Sequence, residues 1–153
     1  MGNQDPWVVR TDFFHEASWQ RVCNLIGAPQ VDGGQEFYAY VKYVSDTRYT
    51  GMTAQQLVQA LPDNYPDFFC FVADRITLTD TEYPVLVINF APEDFELDTD
   101  EQPSISETLT ANIQTIRAIP STIQSIENNL SIANMDFEDF SASVDVDGIF
   151  RGF

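Results

Sequence analysis

The first part of the chain alternates between strand-like and helix-like patterns of apolar residues. In residues 7–13 apolar and polar side chains alternate, which predicts a strand. In residues 15–26 apolar side chains recur every three or four positions, which predicts a helix that ends at the Gly-Ala-Pro of 27–29. Residues 31–36 contain two adjacent glycines and are predicted to form a loop. Residues 37–44 alternate and are predicted to form a second strand.

A second helix and two buried strands follow. Thr53 is a favourable N-cap residue, and it predicts a helix that turns its apolar side chains inward and ends before Pro62. Residues 67–73 and 84–90 are almost continuously apolar, which is typical of strands that are covered on both faces. The polar residues between these strands predict a connection with one helical turn at 79–82.

The chain then becomes acidic before it returns to an apolar pattern. Residues 92–106 carry six acidic side chains, and like charges at this density resist packing, so we expect a surface loop. Residues 113–119 predict a further strand. Pro120 and Ser121 open a helix, because Ser121 and Gln124 have the spacing of a capping box.

The C-terminal segment predicts two helices and a docked tail. The apolar face of the first helix comprises Ile123, Ile126, Leu130 and Ala133, and that of the second Phe137, Phe140 and Val144. Asn134 or Asp136 starts the second helix, and Asp147 with Gly148 turns the chain afterwards. The final large apolar residues are Ile149, Phe150 and Phe153. Leaving such side chains in water forfeits roughly 1.5 to 3 kcal/mol each, so we expect the tail to pack on the domain.

The order of these elements predicts one α/β domain that spans residues 1–153. Helices inserted between strands supply the crossovers that parallel neighbours need. We therefore expect a three-layer sandwich, with a mostly parallel sheet of about five strands and the C-terminal helices packed on it. In such sheets ligands bind beyond the carboxyl ends of the strands. The residues predicted at those ends are Asp12, Asp46, Asp74, Arg75 and Asn89.

Charge narrows the range of partners. The chain of 153 residues has 24 acidic and 7 basic side chains, for a formal net charge of −17. Such a field repels nucleic acid and anionic membranes and attracts basic proteins, so we expect neither nucleic-acid nor membrane binding. No apolar run reaches the roughly 18 residues of a membrane span. The two cysteines, Cys23 and Cys70, lie in apolar contexts without a secretory leader, which predicts buried, reduced thiols in a cytoplasmic protein.

Two acids and the single histidine are candidates for catalysis. Asp12 and Asp74 end strands that could be neighbours, so they could hold Mg²⁺ or divide acid and base roles between them. Alternatively, each caps the following helix or pairs with Arg10 or Arg75. His15 could act as a base, and its structural alternative is packing at the start of a helix. The aspartates of 145–147 resemble half of a calcium loop, but the twelfth position would lie beyond the chain, so we predict no metal site and no cofactor.

Amide side chains in the terminal helices are candidates for binding. Glu127, Asn128, Asn129 and Asn134 could hydrogen-bond a ligand or a partner, or they could satisfy the loop between the two helices. Arg151 could bind a ligand, or it could lock the tail by pairing with an acidic side chain. The partners considered for this pairing are Glu127, Glu138 and Asp139.

Several segments are similar to those of an uncharacterised family. VVRTDF near the start, FVADRITLTDTEYPVLVINF in the middle, and ENNLSIANMDFEDF with DGIFRGF at the end resemble a family of small acidic domains of unknown function. The similarity extends over most of the chain. It implies a shared fold, and it transfers no activity and no catalytic residue.

These observations leave two main hypotheses for function. The first is an acidic binding module, like an immunity or inhibitor protein, that engages a basic partner through its charge. The second is a small α/β enzyme or ligand carrier with an aromatic-lined pocket at the carboxyl ends of the strands. The aromatic candidates for that pocket are Phe37, Tyr38, Tyr40, Phe68 and Phe137. A third possibility is a dimer that forms through the aromatic strand at 37–44.

Overall fold

The computed structural model describes residues 5–65, 68–90, 113–132 and 134–152. The strands are β1 (Trp7–Arg10), β2 (Gln30–Asp32), β3 (Gln35–Phe37), β4 (Lys42–Val44), β5 (Phe69–Ala73), β6 (Val85–Asn89), β7 (Gln114–Ala118) and β8 (Ile149–Phe150). The helices are α1 (Glu16–Gly27), α2 (Ala54–Ala60), α3 (Arg75–Thr79), α4 (Pro120–Ser131) and α5 (Phe137–Ser141), with a 3-10 turn at Thr47–Tyr49. None of the helices within these ranges is long and apolar enough to cross a membrane.

Six strands form one sheet in the order β4-β1-β5-β6-β7-β8. β1 is parallel to β4 and β5, and β7 is parallel to β8. β6 is antiparallel to both of its neighbours, so it alone runs against the other strands of this sheet. The α/β class and the mostly parallel sheet are therefore confirmed. The sixth strand, β8, comes from the C-terminal tail.

Apolar side chains are buried on both faces of the sheet. All five residues of β5 are buried, as the unbroken apolar pattern predicts for a central strand. Phe69, Phe71 and Ala73 belong to one core cluster, together with side chains of α1, α4 and α5. Cys70 and Val72 belong to a second cluster, together with side chains of α2. Because neighbouring residues of a strand point to opposite faces, the two clusters lie on opposite sides of the sheet.

The C-terminal tail packs on the domain, as the sequence predicts. β8 pairs with β7, with Ile149 opposite Arg117 and Phe150 opposite Ala118. Phe150 is fully buried, and its ring meets that of Phe140 edge to face at a centroid distance of 5.3 Å. Gly148 adopts a φ of 81° in the turn before β8, a conformation that favours glycine. Phe153 lies outside the described residues.

The prediction for residues 30–44 is wrong in two respects. A hairpin of β2 and β3 replaces the expected loop, because Gly33 and Gly34 adopt φ values of 60° and 81° and so form a tight two-residue turn. The expected strand at 37–44 is reduced to β4. The backbone between β3 and β4 turns instead towards α4, where the Tyr40 N–H donates to the Glu127 carboxylate over 2.7 Å.

Helix starts agree with the sequence in part. Thr53 caps α2 in a capping box with Gln56, and Asp136 caps α5. The Ser121 capping box is wrong, because the N-cap of α4 is Ile119, two residues before Ser121, and Pro120 lies in the first turn. The helical turn expected at 79–82 is wrong as well, since α3 begins directly after β5. The acidic segment 92–106 and Ala133 lie outside the described residues.

Candidate functional site

The path of the chain opens a crevice beside β1. The chain passes from β1 to β4 through α1, whose apolar residues pack in the first core cluster. It passes from β4 to β5 through α2, which packs in the second cluster on the opposite face. Connections that leave two adjacent parallel strands towards opposite faces leave a gap beyond the carboxyl ends of those strands, where α/β proteins commonly bind ligands. Here those strands are β1 and β4, and the crevice beyond them extends along the sheet to the end of β5.

An open cleft of about 610 Å³ occupies this position. Three short connections line it, one after β1, one before α2 and one after β5. Their lining residues are Thr11, Asp12, Phe13, Phe14, His15, Thr50, Gly51, Met52, Asp74, Arg75 and Ile76. The connection before α2 is tied to the end of β1, because the Gly51 N–H donates to the Thr11 carbonyl over 2.9 Å.

Asp12 and His15 form a hydrogen-bonded pair in the cleft. The Asp12 side chain is buried, and its Oδ2 lies 2.8 Å from His15 Nδ1. Its other oxygen accepts from the Phe14 N–H over 3.0 Å. Burial alone would raise the pKa of Asp12, but the hydrogen bonds from Phe14 and His15, with the charges of His15 and Arg75, lower it. Because a carboxylate only accepts, His15 carries its proton on Nδ1.

A buried arginine supports the loop that carries this pair. Only 3% of Arg10 is exposed; its Nε donates to the Asp12 carbonyl over 2.8 Å, and its Nη1 donates to the Glu16 carboxylate over 2.9 Å. Its guanidinium also lies 4.6 Å from the centroid of the Phe13 ring. From the sequence, Arg10 was expected only as a possible ion-pair partner of Asp12 or Asp74. The signal for its larger role was an arginine at the end of an otherwise apolar strand.

Asp74 is fully engaged with protein groups. It caps α3, where its Oδ1 accepts from the Thr77 N–H over 3.1 Å. Arg117 on β7 donates to both of its oxygens, over 2.8 and 2.7 Å. Burial would raise the pKa of Asp74, but these contacts with Arg117 and Thr77 lower it. Of the structural alternatives for Asp74, the helix cap is therefore confirmed and the pairing with Arg75 is wrong, because the ion-pair partner Arg117 comes from another strand.

Arg75 brings a positive charge to the cleft, near enough to Asp12 to lower the pKa of that carboxyl group. It is exposed, and among the described residues its side chain forms no hydrogen bond or ion pair. Two exposed apolar side chains lie in the same cleft, Phe14 with 89% and Ile76 with 54% of its surface accessible. The cleft thus combines polar groups at the strand ends with apolar side chains that contact solvent.

The other residues expected at this edge lie elsewhere. Asn89 ends β6, and because β6 runs antiparallel to β5, Asn89 pairs with Phe69 at the opposite edge of the sheet. Asp46 accepts from the Arg48 N–H over 3.0 Å and caps the 3-10 turn, and it does not line the cleft. Of the aromatic residues expected to line a pocket, Phe137 is buried in the first core cluster, and none lines this cleft.

The candidates of the terminal helices bind parts of the chain itself. Glu127 is buried and accepts from the Tyr40 N–H and, over 2.7 Å, from the Ser131 hydroxyl. Asn128 donates to the Tyr38 carbonyl over 3.0 Å. Asn129 donates to the Ser125 carbonyl, and Asn134 donates to the Asn129 side chain. These four residues hold the end of α4 and the segment before β4.

Arg151 locks the tail, but through other partners than the sequence suggested. Its guanidinium donates to the carboxylates of Glu82, Asp145 and Asp147 over 2.6 to 2.9 Å at the shortest contacts. The expected partners Glu127, Glu138 and Asp139 are wrong, because the turn before β8 brings the nearer acids to Arg151. The contact with Arg151 lowers the pKa of Glu82 and of Asp147.

Within the described ranges, His, Cys, Asp and Glu side chains form no group of three or more that could hold a metal ion. Asp12 and Asp74 line one cleft, but each carboxylate already has protein donors.

Comparison with known proteins places the chain in a family. A family model described as "Domain of unknown function (DUF6924)" matches residues 5–153. No curated protein is significantly similar to the chain. The family match confirms the resemblance seen in the segments VVRTDF, ENNLSIANMDFEDF and DGIFRGF, and it brings no activity with it. The chain belongs to the DUF6924 family of domains of unknown function.

Proposed function

We propose that the domain binds a small ligand in the cleft beyond β1 and β5, as a ligand carrier or a small enzyme. The observation that supports this is the convergence of Asp12, His15 and Arg75 at the point where the chain leaves two parallel strands towards opposite faces. The cleft volume of about 610 Å³ is that of an ordinary small-molecule site.

His15 is the residue that would exchange a proton with such a ligand. Its Nδ1 is held by Asp12, so the imidazole has a fixed orientation and tautomer. Its Nε2 has no partner in the part of the chain that the structure describes, and in the neutral ring this nitrogen is an acceptor. In this arrangement a carboxylate orients the histidine and the second ring nitrogen stays accessible, which is typical of a general base.

A fragment screen by NMR tests the proposal. Fragments that bind should shift the backbone amides of the three connections that line the cleft. Ile76→Glu places a charge in the cleft at an exposed position and should abolish binding, whereas Ile132→Glu makes the same change at an exposed position that does not line the cleft and should not. Hits that map elsewhere, or that bind Ile76→Glu as well as the wild type, would contradict the proposal.

The charge of the protein favours a second function. In this function the domain is an acidic module that binds a basic protein, in the manner of an immunity or inhibitor protein. The formal net charge is −17, and four of the arginines, Arg10, Arg48, Arg117 and Arg151, are paired with acids of the same chain. Little positive charge is left to offset the acidic surface. We expect a partner recovered from native lysate at low salt to be basic and to dissociate at high salt. A partner that is indifferent to salt would argue against this function.

We also propose a three-layer arrangement and a cytoplasmic location. The layers are supported by the two core clusters on opposite faces of the sheet. The location is supported by the cysteines, because secreted domains commonly use theirs in disulfides, whereas Cys23 and Cys70 are free and lie on opposite sides of the sheet. Burial raises the pKa of Cys23 to about 11 and that of Cys70 to about 12, so both remain protonated and unreactive. Thiol trapping in cells should find both reduced, and an oxidised pair would contradict the location.

A further inference from the structure

We propose that the ligand of this cleft is an organic anion, an apolar body that carries a carboxylate or phosphate group. The inference rests on the proposed ligand-binding function and names the chemistry of its ligand. It follows from which groups in the cleft are already satisfied by the protein and which are still available.

Neither acid in the cleft is available to bind a cation. The Asp12 carboxylate already accepts from Phe14 and His15. The Asp74 carboxylate accepts two hydrogen bonds from Arg117 and one from the Thr77 N–H. A cationic ligand would have to reach the buried side chain of Asp12, or compete with the guanidinium of Arg117 for Asp74.

The available polar groups favour the opposite charge. Arg75 has no ion-pair partner among the described residues, and a guanidinium binds carboxylate or phosphate through two parallel hydrogen bonds. His15 presents Nε2 in the same cleft, and when the ring takes up a proton in its proposed role as a base, this nitrogen becomes a second donor to an anion. A negatively charged group on the ligand would therefore accept hydrogen bonds from these available donors.

The apolar side chains fit the remainder of such a ligand. Phe14 and Ile76 leave 89% and 54% of their surface in contact with solvent, and both line the cleft with Met52. Covering this surface is favourable, and the gain grows with the apolar area that is removed from water. A purely inorganic anion would leave it exposed, so an apolar body attached to the anionic group fits the cleft better.

The negative charge of the whole protein does not contradict this inference. The net charge of −17 produces a negative field around the whole protein. Salt screens that field over a distance of roughly 8 to 10 Å. Recognition within the cleft depends on the groups in direct contact with the ligand, and there Arg75 is exposed while the carboxylates of Asp12 and Asp74 are held by protein donors. The cleft and the acidic surface thus favour partners of opposite charge.

The test is an NMR titration of the full-length protein with three probes of similar size, benzoate, phenyl phosphate and benzylamine. We expect the two anions to shift the amides of Phe14, His15, Gly51 and Arg75, and benzylamine not to. The two anionic arms identify which acid group the cleft prefers. Arg75→Gln should weaken anion binding at least tenfold, whereas Arg21→Gln, the same loss of charge at an exposed residue of α1 outside the cleft, should change it less than twofold.

Three results would overturn the inference. If benzylamine shifts the cleft amides and the anions do not, the cleft binds ligands of the opposite charge and the ligand-binding function stands. If no probe shifts these amides at millimolar concentration, the anion proposal is wrong, and the fragment screen decides separately whether the cleft binds anything. Equal binding by Arg75→Gln and wild type would also count against it, because the charge of Arg75 would then have no part in recognition.

Discussion

His15 Nδ1 lies 2.8 Å from Oδ2 of Asp12, and this contact joins the end of β1 to the start of α1. His15 is the N-cap residue of α1 and forms no side-chain hydrogen bond to the helix. The order of the loop therefore depends on Asp12, which accepts from both His15 and the Phe14 N–H, rather than on a conventional helix cap.

Removing the Asp12 carboxylate should destabilise the protein. In Asp12→Ala, the Phe14 N–H and His15 Nδ1 lose their acceptor, and we expect a loss of about 1 to 3 kcal/mol in the free energy of unfolding. Urea unfolding measures it. Asp63→Ala removes an exposed acid and should change the free energy by less than about 0.5 kcal/mol. Equal effects of the two substitutions would show that the contact with His15 contributes nothing.

Stability should fall at low pH through Asp74. Its pKa is lowered in the folded protein, so the folded state favours the carboxylate more than the unfolded chain does. This contribution is fully present above the unfolded pKa of about 4 and is lost as pH falls through the lower folded value. We expect Arg117→Gln to reduce the free energy of unfolding at pH 7. We also expect it to weaken the fall of that free energy at acid pH, which we call the acid limb. Urea unfolding between pH 2.5 and 7 measures both effects, and an unchanged acid limb in Arg117→Gln would contradict the assignment.

The tail should be required for stability. Phe150 is fully buried against Phe140, and Phe150→Ala should lower the free energy of unfolding by about 3 to 5 kcal/mol. Deleting residues 149–153 removes β8 as well and should be more severe. Val146→Ala is the control, because the side chain of Val146 is fully exposed four residues upstream. A thermal unfolding midpoint unchanged by the deletion would be inconsistent with a docked tail.

Glu127 should hold the segment before β4 on α4. In Glu127→Ala the Tyr40 N–H and the Ser131 hydroxyl lose their acceptor. We expect the Tyr40 amide to exchange its hydrogen at least tenfold faster, while amides of β5 change only with global stability. Glu138→Ala, an exposed acid on α5, should leave Tyr40 protected. Unchanged exchange at Tyr40 in Glu127→Ala would show that the segment is held by other contacts.

Local patterns in the sequence were sufficient for most elements of the fold. The alternating residues of β1, the continuous apolar run of β5 and the cap at Thr53 all predict what the structure contains, because each depends on neighbours in the chain. The hairpin of β2 and β3 was missed although its signal was present, since adjacent glycines are typical of a two-residue turn with positive φ.

The candidate site was predictable only where the strand direction was correct. Asp12 and Asp74 could be placed at one edge because β1 and β5 are parallel neighbours. Asn89 was predicted at the wrong end of the sheet, because the apolar run of β6 does not indicate whether the strand is parallel or antiparallel to β5. The partner of Asp74 was missed for a different reason. Arg117 is 43 residues away in the chain, and no local pattern indicates a contact over that separation.

The reversed direction of β6 also limits the size of what the domain can accommodate. At the edge where β1 and β5 end, β6 begins, and the chain enters it through Tyr83, which adopts a φ of 52°. In doubly wound folds a dinucleotide straddles two equivalent halves of a parallel sheet, with one nucleotide over each. Among the described residues, an antiparallel strand takes the place where the second half would start, so the cleft there has room for a single compact molecule.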